Sequence, residues 1–276
     1  MQYIESRTNP RIKWLRSLQL RKNRAREQLF IAEGVRLLEE ALYADNQKVF
    51  HTLVVCPEII RGKSRASQLI EALQKKALRI IHVAPQVMKI LSETKTSQGI
   101  MAVFPIVPRH ESRVGLGLVL DGIQDPGNMG TILRTAWAAD VTQVYLIGES
   151  VDPYHPKVVR SGMGAHFHLS ISLFSEWNEI DFQQIIRPGT QIVIADSHAD
   201  ISYRKVEWNL DTLLIIGSEA HGIRSAILAS DHPIVSIKIP MSSRVESLNA
   251  SVAAGILLMD AYRCAEQNRS MENPAT

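Results

Sequence analysis

The sequence predicts an α/β protein with a mostly parallel sheet, preceded by a smaller α/β domain, and three observations predict it. Strand-like and helix-like stretches alternate along residues 116–263, the order that a parallel sheet with crossover helices requires. Several of the strand stretches, such as Leu213-Leu214-Ile215-Ile216, are unbroken apolar runs, as a strand buried on both faces must be. Residues 105–115 gather Pro105, Pro108, Arg109, His110, Glu111 and Arg113, which is linker chemistry between two alternating segments.

The elements follow in order. Ile12 to Gln28 reads as one basic helix with Trp14, Leu15, Leu18 and Leu20 as its apolar residues. Leu29–Ile31 is a short strand, and Gly34 opens a helix in which Val35, Leu38, Leu42, Leu37 and Ala41 recur at helical spacing. A strand at Thr52–Val55, a helix at Arg65–Lys76 and strands at Ile80–Val83 and Gly99–Phe104 complete the first segment. Past the linker, strands read at Leu116–Leu120, Gln143–Ile147, Leu169–Ser172, Gln191–Ala195, Thr212–Ile216 and Ile234–Ile239. Helices fit at Met129–Ala139, Phe182–Ile186, Ile223–Leu228 and Asn249–Arg263. The expected domains are therefore 1–104 and 116–264, joined by the linker 105–115 and followed by a flexible tail, 265–276.

With 276 residues, 45% of them hydrophobic and 21% charged, the chain has the composition of an ordinary globular protein. The net charge of +3 says little, but its distribution says more. Residues 1–26 carry eight basic side chains (Arg7, Arg11, Lys13, Arg16, Arg21, Lys22, Arg24, Arg26) against one acid, Glu5. Such a cluster attracts phosphates, and a solvated helix face is the plainer alternative. The two cysteines, Cys56 and Cys264, have no metal-binding spacing and read as reduced thiols of a cytoplasmic protein. No apolar run approaches the ~20 residues that span a bilayer. An Arg-rich, acid-poor N-terminus also fits an organelle transit peptide, although the apolar residues among those basic ones favour a folded helix.

In parallel α/β sheets ligands bind beyond the carboxyl ends of the strands, so the loops there are the place to look for chemistry. The first such loop runs from Asp121 to Asn128, where Asn128 reads as the N-cap of the next helix. Arg134 should lean back over Gly130 and Thr131, near a helix start that favours phosphate. The second loop is Gly217 to Gly222, in which two glycines permit close backbone approach to a ligand. Glu219 stands where a carboxylate can hold a sugar or polar group, whereas a lone loop histidine such as His221 is ordinarily a surface residue. The third loop runs from Ile239 to Asn249: Pro240 ends the strand and Ser247 reads as the N-cap of the last helix. On that helix Ser251, Ala254, Gly255 and Leu258 form a small-residue face that suits either packing within the chain or a subunit interface. No Ser/His/Asp arrangement and no metal-ligand cluster emerges, so the loops suit a reaction whose chemistry a cofactor supplies.

Taken together, DPGNMGTILRTA (125–136), IIGSEAHGI (215–223) and IPMSSRVESLNASVAAGI (239–256) resemble the three motifs of the SpoU (TrmH-like) branch of the SPOUT RNA methyltransferases. The intervening DPYHPKVVRSGMGAHF (152–167) is similar to the corresponding family segment, and residues 6–42 resemble the RNA substrate-binding domain of ribosomal RNA methyltransferases, itself similar to small ribosomal proteins. The resemblance covers nearly the whole chain and argues against a transit peptide. The chain departs from it at Ser243, where the family commonly carries glycine, and a small backbone adjustment is expected there.

The resemblance implies S-adenosylmethionine as methyl donor, a ribose 2′-hydroxyl as acceptor, a C-terminal trefoil knot and a homodimer. It implies catalytic roles for Asn128, Arg134, Glu219, Ser247 and Asn249, cofactor contacts from Gly217, Ile239 and Leu248, and further contacts from Ala195 and Met241. No metal and no membrane enters. Large-subunit ribosomal RNA is the expected substrate, held through Lys13, Arg16, Arg21, Lys22 and Arg24. Transfer RNA is the alternative substrate, and a non-catalytic RNA-binding protein of ribosome assembly is the rival class. Arg134 either takes the proton of the hydroxyl or grips the neighbouring phosphate, and the sequence leaves both roles open.

Overall fold

The computed structural model describes residues 3–44, 50–107, 115–179, 186, 188–218 and 233–272. In chain order the first elements are β1 (Tyr3–Ile4), α1 (Pro10–Ser17), α2 (Arg21–Glu27), β2 (Leu29–Glu33), α3 (Val35–Tyr43), β3 (Thr52–Val55) and α4 (Pro57–Ile60). Next come α5 (Ser64–Gln74), β4 (Ile80–Val83), α6 (Pro85–Leu91), β5 (Ile100–Pro105), β6 (Gly117–Asp121), α7 (Pro126–Ala138), β7 (Gln143–Ile147) and α8 (Pro156–Ser161). The last are β8 (Ser170–Phe174), β9 (Gln191–Ala195), β10 (Ile201–Ser202), β11 (Thr212–Gly217), β12 (Ile234–Lys238) and a long C-terminal helix, here α9 (Ala250–Glu272). The chain divides into two compact units, Met1–Val107 with Asp152–Phe167, and Pro108–Val151 with His168–Thr276.

The first unit is a five-stranded sheet in the order β1-β4-β3-β5-β2, with β5 antiparallel to both of its neighbours. Its strands alternate between two buried faces. Phe30, Ala32, Leu53, Ile100, Ala102 and Phe104 pack with α3, α5 and the 152–167 segment, while Val54, Met101 and Val103 pack with α1 and α6. Period-two alternation with both faces covered explains why these strands read as nearly continuous apolar runs. Phe30 is core, as part of an aromatic cluster with Phe104, Tyr154 and Phe167.

Two expectations change in this unit. The basic helix expected over 12–28 is two helices, broken at residues 18–20. Ile12, Leu15 and Leu18 are all buried, a three-residue spacing tighter than an α-helix keeps on one side. The chain turns after Ser17, and α2 supplies side-chain donors to carbonyls at the turn: Asn23 Nδ2 donates to Ser17 O at 2.9 Å, beside the Leu20 N–H at 3.1 Å, and Arg24 Nη1 donates to Leu18 O at 2.7 Å. The segment 152–167, expected within the second domain, packs with the first unit. It is held there by a buried ion pair, Arg24 Nε to Asp152 Oδ2 at 2.9 Å, and by apolar burial of Tyr154, Val159 and Phe167.

The second unit is a seven-stranded, wholly parallel sheet in the order β10-β12-β9-β11-β6-β7-β8. The chain builds outward from β6 through β7 to β8, starts again on the far side with β9 and β10, and then inserts β11 between β6 and β9 and β12 between β9 and β10. Five strands read at 116–120, 143–147, 191–195, 212–216 and 234–239 lie within one residue of those observed; β8 runs two residues further than expected. The helices expected at Ile223–Leu228 and, apart from Ile186, at Phe182–Ile186 lie outside the described residues.

Among the described residues no helix is long and apolar enough to cross a membrane, and no group of three His, Cys, Asp or Glu side chains is placed to hold a metal ion.

Candidate active site

The strand order brings the three loops together. Gly217 at the end of β11 pairs in register with Asp121 at the end of β6, and Ala195 at the end of β9 pairs with Ile237 in β12. The first and second loops run close together: a Cβ added to Gly122, whose φ of +69° suits glycine, would sit 3.6 Å from Ser218 Cβ. The carboxyl ends of four neighbouring parallel strands thus form one rim, where a parallel sheet binds ligands.

The first loop enters α7 differently from the sequence reading. Asp125, not Asn128, is the N-cap: its Oδ1 accepts from Asn128 N–H at 2.8 Å, and Pro126 occupies the first helical position. Proline just inside a helix start was the signal available in the sequence. Gly127 is required by this cap, because a Cβ there would lie 2.9 Å from Asp125 Oδ1. Asn128 falls in the first turn of α7. Two turns of chain further on, Arg134 is exposed and, among the described residues, has no hydrogen-bond or ion-pair partner.

The third loop delivers Asn249 to the same place. Asn249, not Ser247, caps α9: its Oδ1 accepts from Ser251 N–H at 3.0 Å and from Ser251 Oγ at 2.6 Å. Its Nδ2 donates to Asn128 Oδ1 at 3.0 Å, a bond across 121 residues of sequence. Ser247 is exposed two residues before this cap. Ser243 keeps an ordinary backbone, since positive φ at non-glycine positions is confined, among the described residues, to Gln28, Asp140 and Met163. The small-residue face of α9 packs within the unit, with Ala254 and Leu258 buried and Gly255 approaching Thr135 of α7.

Of the expected cofactor residues, Ala195 and Gly217 end adjacent strands, Ile239 directly follows β12, and Met241 and Leu248 lie on the third loop; all five are half-buried. The donor set fits S-adenosylmethionine. Apolar side chains from Ile239, Met241 and Leu248 suit an adenine ring, and main-chain groups leaving the sheet at the strand ends suit its polar edges. Glu219 and His221 lie outside the described residues.

Among the expected RNA contacts, Lys13, Arg16, Arg21 and Lys22 are exposed on α1 and α2. Arg24 is not among them. Its side chain is 3% exposed, and its guanidinium is taken up by Asp152 and the Leu18 carbonyl, so it has no reach to a phosphate. Its place in a basic run concealed this, because a cluster of like charges in sequence does not say which member the fold turns inward.

Residues 115–259 match the SpoU rRNA Methylase family and residues 9–102 match the MRM3-like substrate binding domain. The chain is 30% identical to an uncharacterized tRNA/rRNA methyltransferase of Synechocystis, over 94% of this chain and 93% of that protein. It is 28% identical to the 23S rRNA (guanosine(2553)-2'-O)-methyltransferase RlmP of Bacillus subtilis, over 94% of this chain and 98% of that protein. Among solved structures it superposes on the SpoU methyltransferase AviRb of Streptomyces viridochromogenes in complex with AdoMet, with a TM-score of 0.82 and 27% identity, over 95% of this chain and 99% of that one. An AdoMet-bound rRNA methyltransferase from Sinorhizobium meliloti gives a TM-score of 0.81 at 27% identity, over 95% and 97%.

Proposed function

This chain belongs to the SpoU rRNA methylase family, and we propose that it is an S-adenosylmethionine-dependent methyltransferase acting on a ribose 2′-hydroxyl of large-subunit ribosomal RNA. The observation that carries the reading is the Asn249–Asn128 bond at the common rim of four strand ends, with the exposed Arg134 on the same helix as Asn128. The RlmP relative's name and the substrate-binding domain over residues 9–102 support ribosomal RNA over transfer RNA.

When bound, S-adenosylmethionine supplies an electrophilic methyl group. Ala195, Gly217, Ile239, Met241 and Leu248 hold it at the rim, and the half-buried position of all five supports that assignment. Arg134 grips the phosphate beside the target ribose and stabilises negative charge developing on the hydroxyl oxygen. A clamp suits arginine better than a base does, because a guanidinium holds its proton. Asn128 and Asn249 orient the ribose, Ser247 shapes the third loop, and Glu219 orients polar groups in the second. Holding donor and acceptor in line supplies a large part of the rate. Lys13, Arg16, Arg21 and Lys22 position the RNA through its phosphates.

The reading includes a knotted C-terminal path, which the insertion of β11 and β12 between earlier strands supports. It also includes a homodimer. Val252 and Met259, two turns apart on α9, are 49% and 45% exposed after α7 has taken up the small-residue face, and they offer an apolar surface to a second copy.

The test is transfer of label from S-adenosylmethionine to ribosomal RNA, ribosomal particles and transfer RNA in parallel, by the natural chain and by Arg134→Ala. Label in ribosomal RNA that maps to a ribose and is lost in the variant supports the reading. Label in transfer RNA alone replaces the substrate. No label in any of them, together with no cofactor binding, overturns the reading in favour of a non-catalytic RNA-binding protein.

A further inference from the structure

The segment 152–167 lies inside the stretch that matches the methylase family, residues 115–259, yet it packs in the first unit, whose own family match covers residues 9–102. Its helix α8 rests on β2, with Val158 and Val159 buried. Successive residues of a helix are about 100° apart, so burial of that adjacent pair turns Lys157 and Arg160 to the open side, where residues three apart are neighbours. Both are exposed, and neither side chain has a hydrogen-bond or ion-pair partner among the described residues.

The fold sets these two cations beside the basic turn between α1 and α2. Pro156 and Arg160 line one recess with Gln19, and Gln19 stands between Arg16 and Arg21, both exposed. Asp152, just ahead of α8, is paired with Arg24 of α2, the helix that also carries Arg21 and Lys22. His166 Nε2 braces the same segment from its other end, donating to the Pro153 carbonyl at 2.7 Å. Cations from two distant stretches of sequence thus keep a fixed spacing before any ligand arrives, which lowers the ordering cost of binding. Two acids border the recess. Glu33 is engaged by Ser92 Oγ at 2.6 Å and Ser97 Oγ at 2.8 Å, and Glu93 is exposed, outnumbered by the cations around it.

We propose that Lys157 and Arg160 complete the RNA-binding face of the first unit and grip substrate phosphates together with Arg16, Arg21 and Lys22. This rests on the function proposed above. The recess measures about 20 Å³, room for about one water and far too little for a base. The face therefore holds backbone: it sets where the RNA lies and carries no sequence preference of its own.

Each phosphate contact releases counterions and contributes roughly 0.7 to 0.9 to the slope of log K against log salt. The test is titration of a large-subunit ribosomal RNA transcript at several salt concentrations with the natural chain, Lys157→Glu/Arg160→Glu and Arg21→Glu/Lys22→Glu. The α8 variant should lower the slope by roughly 1.4 to 1.8 and weaken binding about tenfold or more at moderate salt. The KM for RNA should rise, with kcat and the cofactor Kd little changed. Lys157→Gln/Arg160→Gln should lose as much slope, which keeps the test decisive if charge reversal disturbs folding. An unchanged slope in both α8 variants overturns the proposal, and a reduced slope in Arg21→Glu/Lys22→Glu at the same time leaves the function standing. A loss of kcat at unchanged KM also overturns it, because the two residues then act in the chemistry and not in holding the RNA. No binding of this RNA by the natural chain overturns the function proposed above, and the phosphate face with it.

Discussion

Replacing Asp152 by alanine should destabilise the first unit by about 3–5 kcal/mol, the cost of breaking one side of a buried ion pair. Asp152 Oδ2 accepts from Arg24 Nε at 2.9 Å and from Arg24 Nη2 at 2.5 Å, with side-chain exposures of 10% and 3% for the two partners. The other carboxylate oxygen accepts from Tyr154 N–H at 2.9 Å. Removal of the carboxylate leaves a buried guanidinium with the Leu18 carbonyl as its remaining partner among the described residues and costs the Tyr154 N–H its Asp152 acceptor. An unsatisfied buried N–H alone costs about 1–3 kcal/mol, and it overlaps with the ion-pair loss instead of adding to it. Against a typical total stability of about 5–15 kcal/mol, this is a large fraction. Urea unfolding of Asp152→Ala, Arg24→Met and the double variant Arg24→Met/Asp152→Leu supplies the assay. The double variant leaves no charge unpaired and should recover most of the loss. Single variants within about 0.5 kcal/mol of the natural chain, the range of ordinary surface substitutions, would refute the reasoning. So would a double variant as unstable as the sum of the two.

The same geometry bears on RNA binding: Arg21→Glu with Lys22→Glu should weaken binding and lower the slope of log K against log salt, by roughly 0.7 per phosphate contact for a single strand, as titrations at several ionic strengths would show. Arg24→Met should leave that slope unchanged, and a reduced slope would return Arg24 to the RNA surface. Asp125→Ala removes the α7 cap and should cost about 1 kcal/mol of stability with a loss of kcat, both partly restored by Asp125→Asn. His166 is buried, with Nε2 at 2.7 Å from the Pro153 carbonyl, and desolvation lowers its pKa to about 4. Its folded pKa lies below the unfolded value of about 6.5, so the unfolded chain binds the extra proton first. Stability is complete above pH ~6.5 and falls as pH drops toward 4, by roughly 3 kcal/mol over the window. Urea midpoints measured from pH 7 to 4 should show this fall, and His166→Gln should flatten it.

How much was legible follows from the range of the forces involved. Strands β3, β4, β7 and β9 could be bounded to the residue because each is a short, mostly apolar and β-branched run set between polar or turn-forming residues, and that is written locally. The single basic helix over 12–28 misled because its propensity is good throughout. The break at residues 18–20 comes from Leu18 turning into the core and from Asn23 and Arg24 reaching back to the Ser17 and Leu18 carbonyls, which are contacts made only after the chain folds. The caps of α7 and α9 were misplaced by three and two residues, since several polar residues in each loop were eligible and tertiary packing chose among them.

By itself the sequence determined the α/β class, the identity of the three loops and the residue types in them, because strand burial, turn chemistry and motif spacing are properties of neighbouring residues. Only the tertiary structure decided that Asn249 meets Asn128 across 121 residues, that β11 and β12 enter between strands already laid down, and that Arg24 is buried while Arg21 and Lys22 stay exposed. Each of those depends on which distant groups the fold brings together, and no local pattern encodes the partner; for Arg24 the partner is needed because an unpaired charge in a buried space is costly.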